Sequence, residues 1–126
     1  MAGPAPLPPA GRPLIDSYGP GRFRVGGIDY AGSILVLPTG AAPWPVATLP
    51  ALSIESLAPI TAPGAGVDIL LLGCGARPAA VAPALRQALK SARVALEAMD
   101  TGAACRTYNL LAGEGRRVAA ALIALG

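Results

Sequence analysis

The chain predicts an α/β fold: one compact three-layer domain in which a mixed sheet holds a parallel strand–helix–strand core, an antiparallel meander precedes it, and helices pack on the sheet. Three observations carry this. Residues 67–72 form an apolar run broken only by Asp68 and closed by Gly73-Cys74-Gly75, as a buried strand ending in a turn would read. Leu85, Ala88, Leu89 and Ala92 then recur at helical spacing, with Arg86, Lys90 and Arg93 on the other side. Residues 94–99 are a second strand-like run. A strand, a helix and a strand in succession imply parallel strands joined by a right-handed crossover.

The remaining elements follow from local signals. Residues 1–13 are rich in Pro, Gly and Ala and carry one Arg, so they read as a flexible tail, with neither a secretory signal nor a presequence; the domain is placed at 14–126. Residues 14–37 alternate short strand-like runs with Gly19-Pro20-Gly21, Gly26-Gly27 and Gly32, which predicts an antiparallel meander. Residues 39–49 are extended, because Trp44 lies between Pro43 and Pro45. A short helix is expected over 54–57, capped by Ser53 and stopped by Pro59, and Pro63 to Gly66 reads as a loop. Pro83 suits the first turn of the crossover helix. Asp100 or Thr101 can cap a helix over 102–111. Gly113 and Gly115 end it, and the nearly all-apolar stretch 116–125 is expected to be a buried final helix.

Composition narrows the chemistry. The 126 residues suit one domain. They are 53% hydrophobic, yet no apolar run approaches the roughly 20 residues of a spanning helix, so no transmembrane segment is expected and the location is read as cytoplasmic. Net charge is +3, but the basic residues are scattered and only one Phe and one Trp accompany them; nucleic acid is not expected as a partner. There is no His, which removes Ser–His and Cys–His nucleophile pairs. Two cysteines, Cys74 and Cys105, are too few for a zinc site. No cofactor or metal is expected, and an enzymatic role is the less favoured reading.

Ligands of open α/β sheets bind beyond the carboxyl ends of the strands. The 73–78 loop and the start of the 101–109 helix both fall there, which predicts a cleft involving Gly73, Gly75, Thr101, Cys105, Arg106, Tyr108, Asn109 and Arg116. The helix N-terminus and Arg106 would favour an anion. Thr101, Cys105 and Asn109 recur every four residues, giving one helix face. Each also has a structural reading: Thr101 as a cap, Cys105 as a small core residue, Asn109 as a tie to a neighbouring loop. Glu97 reads as half of an ion pair with Arg106 or Arg116. Cys74 and Cys105 would form a redox pair only if their loops met.

A longer pattern stands out: residues 94–101, then Ala104-Cys105-Arg106-Thr107-Tyr108-Asn109-Leu110-Leu111, then Glu114-Gly115-Arg116-Arg117-Val118-Ala119-Ala120-Ala121-Leu122, with Ile15, Tyr18-Gly19, Phe23, Tyr30, Gly32-Ser33, Pro38 and Trp44 upstream. It resembles the family of mitochondrial complex I (NADH:ubiquinone oxidoreductase) assembly factor 3 and its bacterial and archaeal relatives of unknown function. The resemblance spans residues 14–125. It implies a three-layer α/β fold around a mixed sheet, no known catalytic activity or cofactor, and protein partners such as subunits or assembly factors of a membrane complex, with a link to membrane-protein biogenesis. Two functions follow as expectations: a non-enzymatic assembly-type factor of the bacterial kind, using an apolar and Arg-bearing surface that includes Trp44, or a binder of, or enzyme on, a small anionic ligand at the predicted cleft. Self-association is compatible with either.

Overall fold

The computed structural model describes residues 12–126; most of the expected tail therefore lies outside the described residues. Strands β1 (Ile15–Gly19), β2 (Arg22–Val25) and β3 (Ile28–Ala31) form an antiparallel three-stranded sheet in that order. Here the expected meander holds. Gly26 and Gly27 both have positive φ, the backbone that a tight two-residue hairpin turn demands.

β4 (Ile34–Leu37) does not continue this sheet, as a meander through residue 37 would require. It pairs with β5 (Gly40–Pro43) and begins a second, five-stranded sheet. The chain turns out of the first sheet at Gly32, whose φ is +78°, and the fully apolar Ile34-Leu35-Val36 then needs cover on both faces. β5, which the proline-rich composition concealed, is the far edge of that sheet.

Two 3-10 turns, Leu49–Ala51 and Glu55–Leu57, lead into a single-turn helix α1 (Ala58–Thr61). Ser53 Oγ accepts from the Ser56 N–H at 3.1 Å, but the turn begins at Glu55 with Ile54 before it, so Ser53 lies one place ahead of the cap position expected of it. Pro59, expected to stop the helix, sits instead in the first turn of α1, where a missing N–H costs nothing.

β6 (Ile69–Gly73), α2 (Pro83–Ser91) and β7 (Ala95–Met99) form the crossover unit, with β6 and β7 parallel and in continuous register. α3 (Thr101–Gly113) follows directly, capped by Asp100, whose side chain accepts from the Ala103 N–H. The final element corrects the sequence reading. The stretch expected to be a helix is β8 (Val118–Leu122), a strand buried along its whole length. It pairs parallel with β6 and antiparallel with β4, giving the order β5-β4-β8-β6-β7. An apolar run carries no period, so strand and helix look alike in it. As a strand, β8 satisfies its backbone on both sides and lets β4 and β6 satisfy theirs; as a helix it would leave both edges open.

The five-stranded sheet separates two cores. On one face Leu35, Leu70, Leu72, Ala119 and Ala121 meet Trp44, Val46, Leu57, Ile60, Leu85 and Leu89. On the other, Ile34, Val36, Leu71, Val118, Ala120 and Leu122 meet α3 through Ala104, Cys105, Tyr108 and Ala112, and the small sheet through Ile15, Phe23 and Val25. The alternation of strand side chains thus assigns each residue of β6 and β8 to one core or the other. α2 and the irregular 44–67 segment make one outer layer, α3 and the small sheet the other.

Candidate functional site

The predicted site begins where β6 and β7 end side by side. The Cys74 N–H donates to the Met99 carbonyl at 2.8 Å, and the Thr101 N–H to the Gly75 carbonyl at 2.8 Å. The glycine turn and the start of α3 are therefore in direct contact, as the parallel crossover implies. The contact is closed rather than open. Thr101 is fully buried; its hydroxyl accepts from the Gly75 N–H at 2.9 Å and donates to the Ile123 carbonyl at 2.7 Å. Gly73 is a glycine because a Cβ there would lie 2.9 Å from both Thr101 Cα and Oγ1. Thr101 thus joins the turn after β6 to the residue after β8.

This arrangement occupies the first turn of α3. The Thr101 N–H is held by Gly75, the Ala103 N–H by Asp100 Oδ1 at 2.8 Å, and the Ala104 N–H by the Asp100 carbonyl at 3.0 Å. Apart from the Gly102 N–H, the donors that a free helix terminus would offer an anion are spent within the chain, and the Asp100 carboxylate already sits among them.

An open cavity lies one turn further along α3, against β1 rather than against the glycine turn. It measures about 350 Å³ and is lined by Ile15, Asp16, Ser17, Tyr18, Cys105, Arg106 and Asn109. Of the eight sequence-predicted residues, Cys105, Arg106 and Asn109 meet there. Gly73, Gly75 and Thr101 form the closed junction, and Arg116 lies beyond the other end of α3, its carbonyl accepting from Arg12 Nη1. Tyr108 is buried beneath the helix, its hydroxyl donating to the Pro13 carbonyl at 2.8 Å.

Within the cavity Asn109, Arg106 and Asp16 have internal partners. Asn109 Nδ2 donates to the Ile15 carbonyl and its Oδ1 accepts from the Ile15 N–H, each at 2.8 Å. Arg106 Nη1 donates to the Tyr18 hydroxyl at 2.8 Å. Gly102 makes that contact possible, since a Cβ there would come within 2.7 Å of the Tyr18 oxygen. Asp16 turns away to accept from the Gly27 N–H at 2.7 Å. Burial pushes the Cys105 thiol up to about 12, against the smaller opposing pull of Arg106; it is held as the thiol, the inert form.

Three further expectations fail. Glu97 is exposed on the outer strand β7 and pairs with neither Arg106 nor Arg116; among the described residues the ion pairs are Arg24–Asp29 and Arg117–Asp68. Cys74 packs with the core on one face of the sheet and Cys105 with the core on the other, so the sheet itself separates the two sulfurs of the supposed redox pair. Trp44 is not a surface residue: it is 4% exposed and its indole N–H donates to the Ser56 carbonyl at 2.8 Å.

Sequence reasoning also missed a recess on the α2 face. It measures about 530 Å³ and lies between Leu49, Leu52 and Ile54 on one side and Val81, Leu85 and Ala88 on the other, with Ser53 its one polar side chain. The available signal was the run of large apolar residues in a segment with neither helical nor strand period.

This fold is a three-layer α/β domain in which Thr101, Tyr108 and Asn109 of the predicted cleft bond the backbone of their own chain. The chain belongs to the family of proteins of unknown function DUF498/DUF598, whose model matches residues 15–123. An uncharacterized protein of Rhodobacter capsulatus is 40% identical over 90% of this chain and 86% of its own length. The NADH dehydrogenase [ubiquinone] 1 alpha subcomplex assembly factor 3 of Danio rerio is 36% identical over 87% of this chain; the match spans 63% of the length of that protein. Among solved structures, a protein of Rhodopseudomonas palustris superposes with a TM-score of 0.80 at 38% identity, covering 100% of this chain and 93% of the other. A protein described as an outer membrane protein of Bartonella henselae gives 0.85 at 34% identity over 92% and 98%. Among the described residues of the present chain, no helix is long and apolar enough to cross a membrane.

Proposed function

We propose that this chain is a non-enzymatic, protein-binding factor of the assembly type, a bacterial-type relative of the complex I assembly factor that works on the cytoplasmic side in membrane-protein biogenesis. The observation that carries this reading is the use of Thr101, Tyr108 and Asn109: each spends its hydrogen-bonding groups on the backbone of its own chain. With Cys105 protonated, and Asp16 of the same cavity already accepting from the Gly27 N–H, the cleft has no free pair of groups able to move a proton and form a bond. The similarity to proteins named as assembly factors supports the same reading, as does the apolar recess on the α2 face, a surface able to bury side chains of a partner.

The test is affinity capture from native membranes at low salt with the wild-type chain and with Ala88→Arg, which places a charge in the recess. Subunits of one membrane complex retained by the wild type and lost with the variant are expected. Equal capture by both, or none by either, sinks the proposal.

A second reading rests on Arg106, whose guanidinium faces the cavity at β1 and bonds the Tyr18 hydroxyl, not a carboxylate. In it a small anion is held by Arg106 in that cavity between α3 and β1; the 73–78 loop, closed against Thr101, takes no part. Thermal shift against phosphate, nucleotides and carboxylates tests it: at 100 times Kd a ligand should stabilise the fold by about 2.7 kcal/mol, and a flat screen leaves only the first reading.

A further inference from the structure

At the end of the large sheet where the parallel strands β6, β7 and β8 begin, Arg93 stands in a backbone conformation that favours glycine. Its φ is +63°, and among the described residues every other positive φ belongs to a glycine. The cause is the way α2 ends. The Val94 N–H donates to the Leu89 carbonyl and the Arg93 N–H to the Lys90 carbonyl, each at 2.9 Å. This is the Schellman closure, whose residue after the cap is left-handed and usually glycine. A side chain there costs stability. The helix dipole does not call for it, since Lys90 already places a cation in the last turn.

The Arg93 side chain lines a cavity of about 480 Å³, whose charged and polar side chains are Thr61, Asp68, Arg93 and Arg117. Asp68, its one acid, is held by Arg117 through Nε and Nη2, each at 2.9 Å, and that pair is neutral as a unit. Arg117 Nη1 and the whole Arg93 guanidinium keep no protein partner among the described residues. Another wall is the 62–67 loop, a turn closed by the Ala65 N–H on the Ala62 carbonyl at 3.0 Å, with Gly64 at φ +81° and Gly66 at +73°. The N–H groups of Gly64, Gly66 and Val67 have no acceptor among the described residues. An uncompensated cation, a second free guanidinium nitrogen and several unspent backbone donors around one cavity suit an anion.

We propose that this cavity binds a phosphate group, held chiefly by Arg93, with Arg117 Nη1 and the amides of the 64–67 loop completing its contacts. A tetrahedral anion presents oxygens to more than one wall at once, whereas a planar carboxylate offers two oxygens in one plane to a single guanidinium. The site is separate from the Arg106 cavity, which lies between α3 and β1, and it does not depend on the assembly reading.

Titration of the full chain with inorganic phosphate, against chloride at equal ionic strength, tests this by amide NMR and thermal melts. Saturable shifts at Gly64, Gly66, Val67 and Arg93 are expected, with a rise in Tm that chloride does not give. Arg93→Gly should by itself raise the Tm of the phosphate-free chain by about 2–5 °C, because glycine relieves the backbone. It should also weaken phosphate binding by about tenfold or more. Arg93→Lys keeps the charge but not the planar fork, and should bind with intermediate strength. Vesicles of phosphatidylglycerol distinguish the source. Retention of the wild type but not of Arg93→Gly, competed by inorganic phosphate, identifies a lipid headgroup; phosphate binding without retention identifies a soluble phosphate. Shifts that never saturate, which mean an adventitious ion only, overturn the proposal, as do shifts confined to the residues around Arg106 or equal binding by Arg93→Gly. An Arg93→Gly chain that melts no higher than the wild type overturns it too, since the arginine then costs the fold nothing.

Discussion

Asn109 on α3 and Ile15 on β1 exchange two hydrogen bonds of 2.8 Å although 94 residues separate them. The amide mimics a neighbouring strand at the point where β1 bulges, and it fixes the small sheet to the helix. Replacing Asn109 by Leu would leave a half-buried N–H and C=O without partners. A loss of about 2–3 kcal/mol is expected, read as a lower urea midpoint at unchanged slope. Asn109→Asp should cost at least as much at neutral pH, because a carboxylate then faces the Ile15 carbonyl. A change below about 0.5 kcal/mol, the ordinary scatter of surface changes, would show the tie to be incidental.

Thr101 and Gly73 form the second long-range junction. Thr101→Val keeps the shape and removes both the bond to Ile123 and that from Gly75; about 2–3 kcal/mol should be lost, while Thr101→Ser should keep most of the stability. Gly73→Ala drives a methyl group against Thr101 Cα, which is backbone and cannot step aside; it should be the more damaging of the two. Thermal melts of the three variants give the order directly.

Alkaline pH should weaken the fold through Cys105. The thiol ionises near 9.0 in the unfolded chain but near 12 in the folded one. Between those values unfolding releases a proton, so stability falls as pH rises, by up to about 1.4 kcal/mol per pH unit for one group. Burial likewise raises Tyr108 from 10.0 to about 12, steepening the decline above pH 10. Urea midpoints measured from pH 8 to 10.5 should drop, and Cys105→Ala should flatten the first part of the decline. The same burial predicts slow reaction of Cys105 with a thiol reagent in the native state and fast reaction in urea; rapid native labelling would contradict it.

Trp44 is the only tryptophan and lies in the core with its indole N–H bonded to Ser56. Its emission should be blue-shifted in the native protein and move to the red on unfolding. Trp44→Phe removes that bond and part of the packing, with an expected cost of about 1–3 kcal/mol.

The crossover unit was legible because each of its parts carries a local signal: apolar runs closed by glycine or Asp100, and a helical stripe opened by Pro83. The contact between the glycine turn and α3 followed, since parallel strands end on the same side. The cleft was only partly legible. Cys105, Arg106 and Asn109 share a helix face, which spacing reveals; that this face meets β1 depends on how the two layers stack, and no local pattern encodes it.

What the amino-acid order determined unaided was periodicity, caps and turns: the helices after Pro83 and Asp100, the two parallel strands, and the hairpins at the glycine pairs. What tertiary structure alone decided was which edges meet. Residues 118–122 are a central strand because β4 and β6 flank them, whereas β7, with Glu97 exposed on it, is an edge strand paired with β6 alone. The reason is physical. Side-chain pattern is set by the few residues within reach along the chain, whereas a backbone hydrogen bond needs only a partner in space, and here those partners arrive from the opposite end of the sequence.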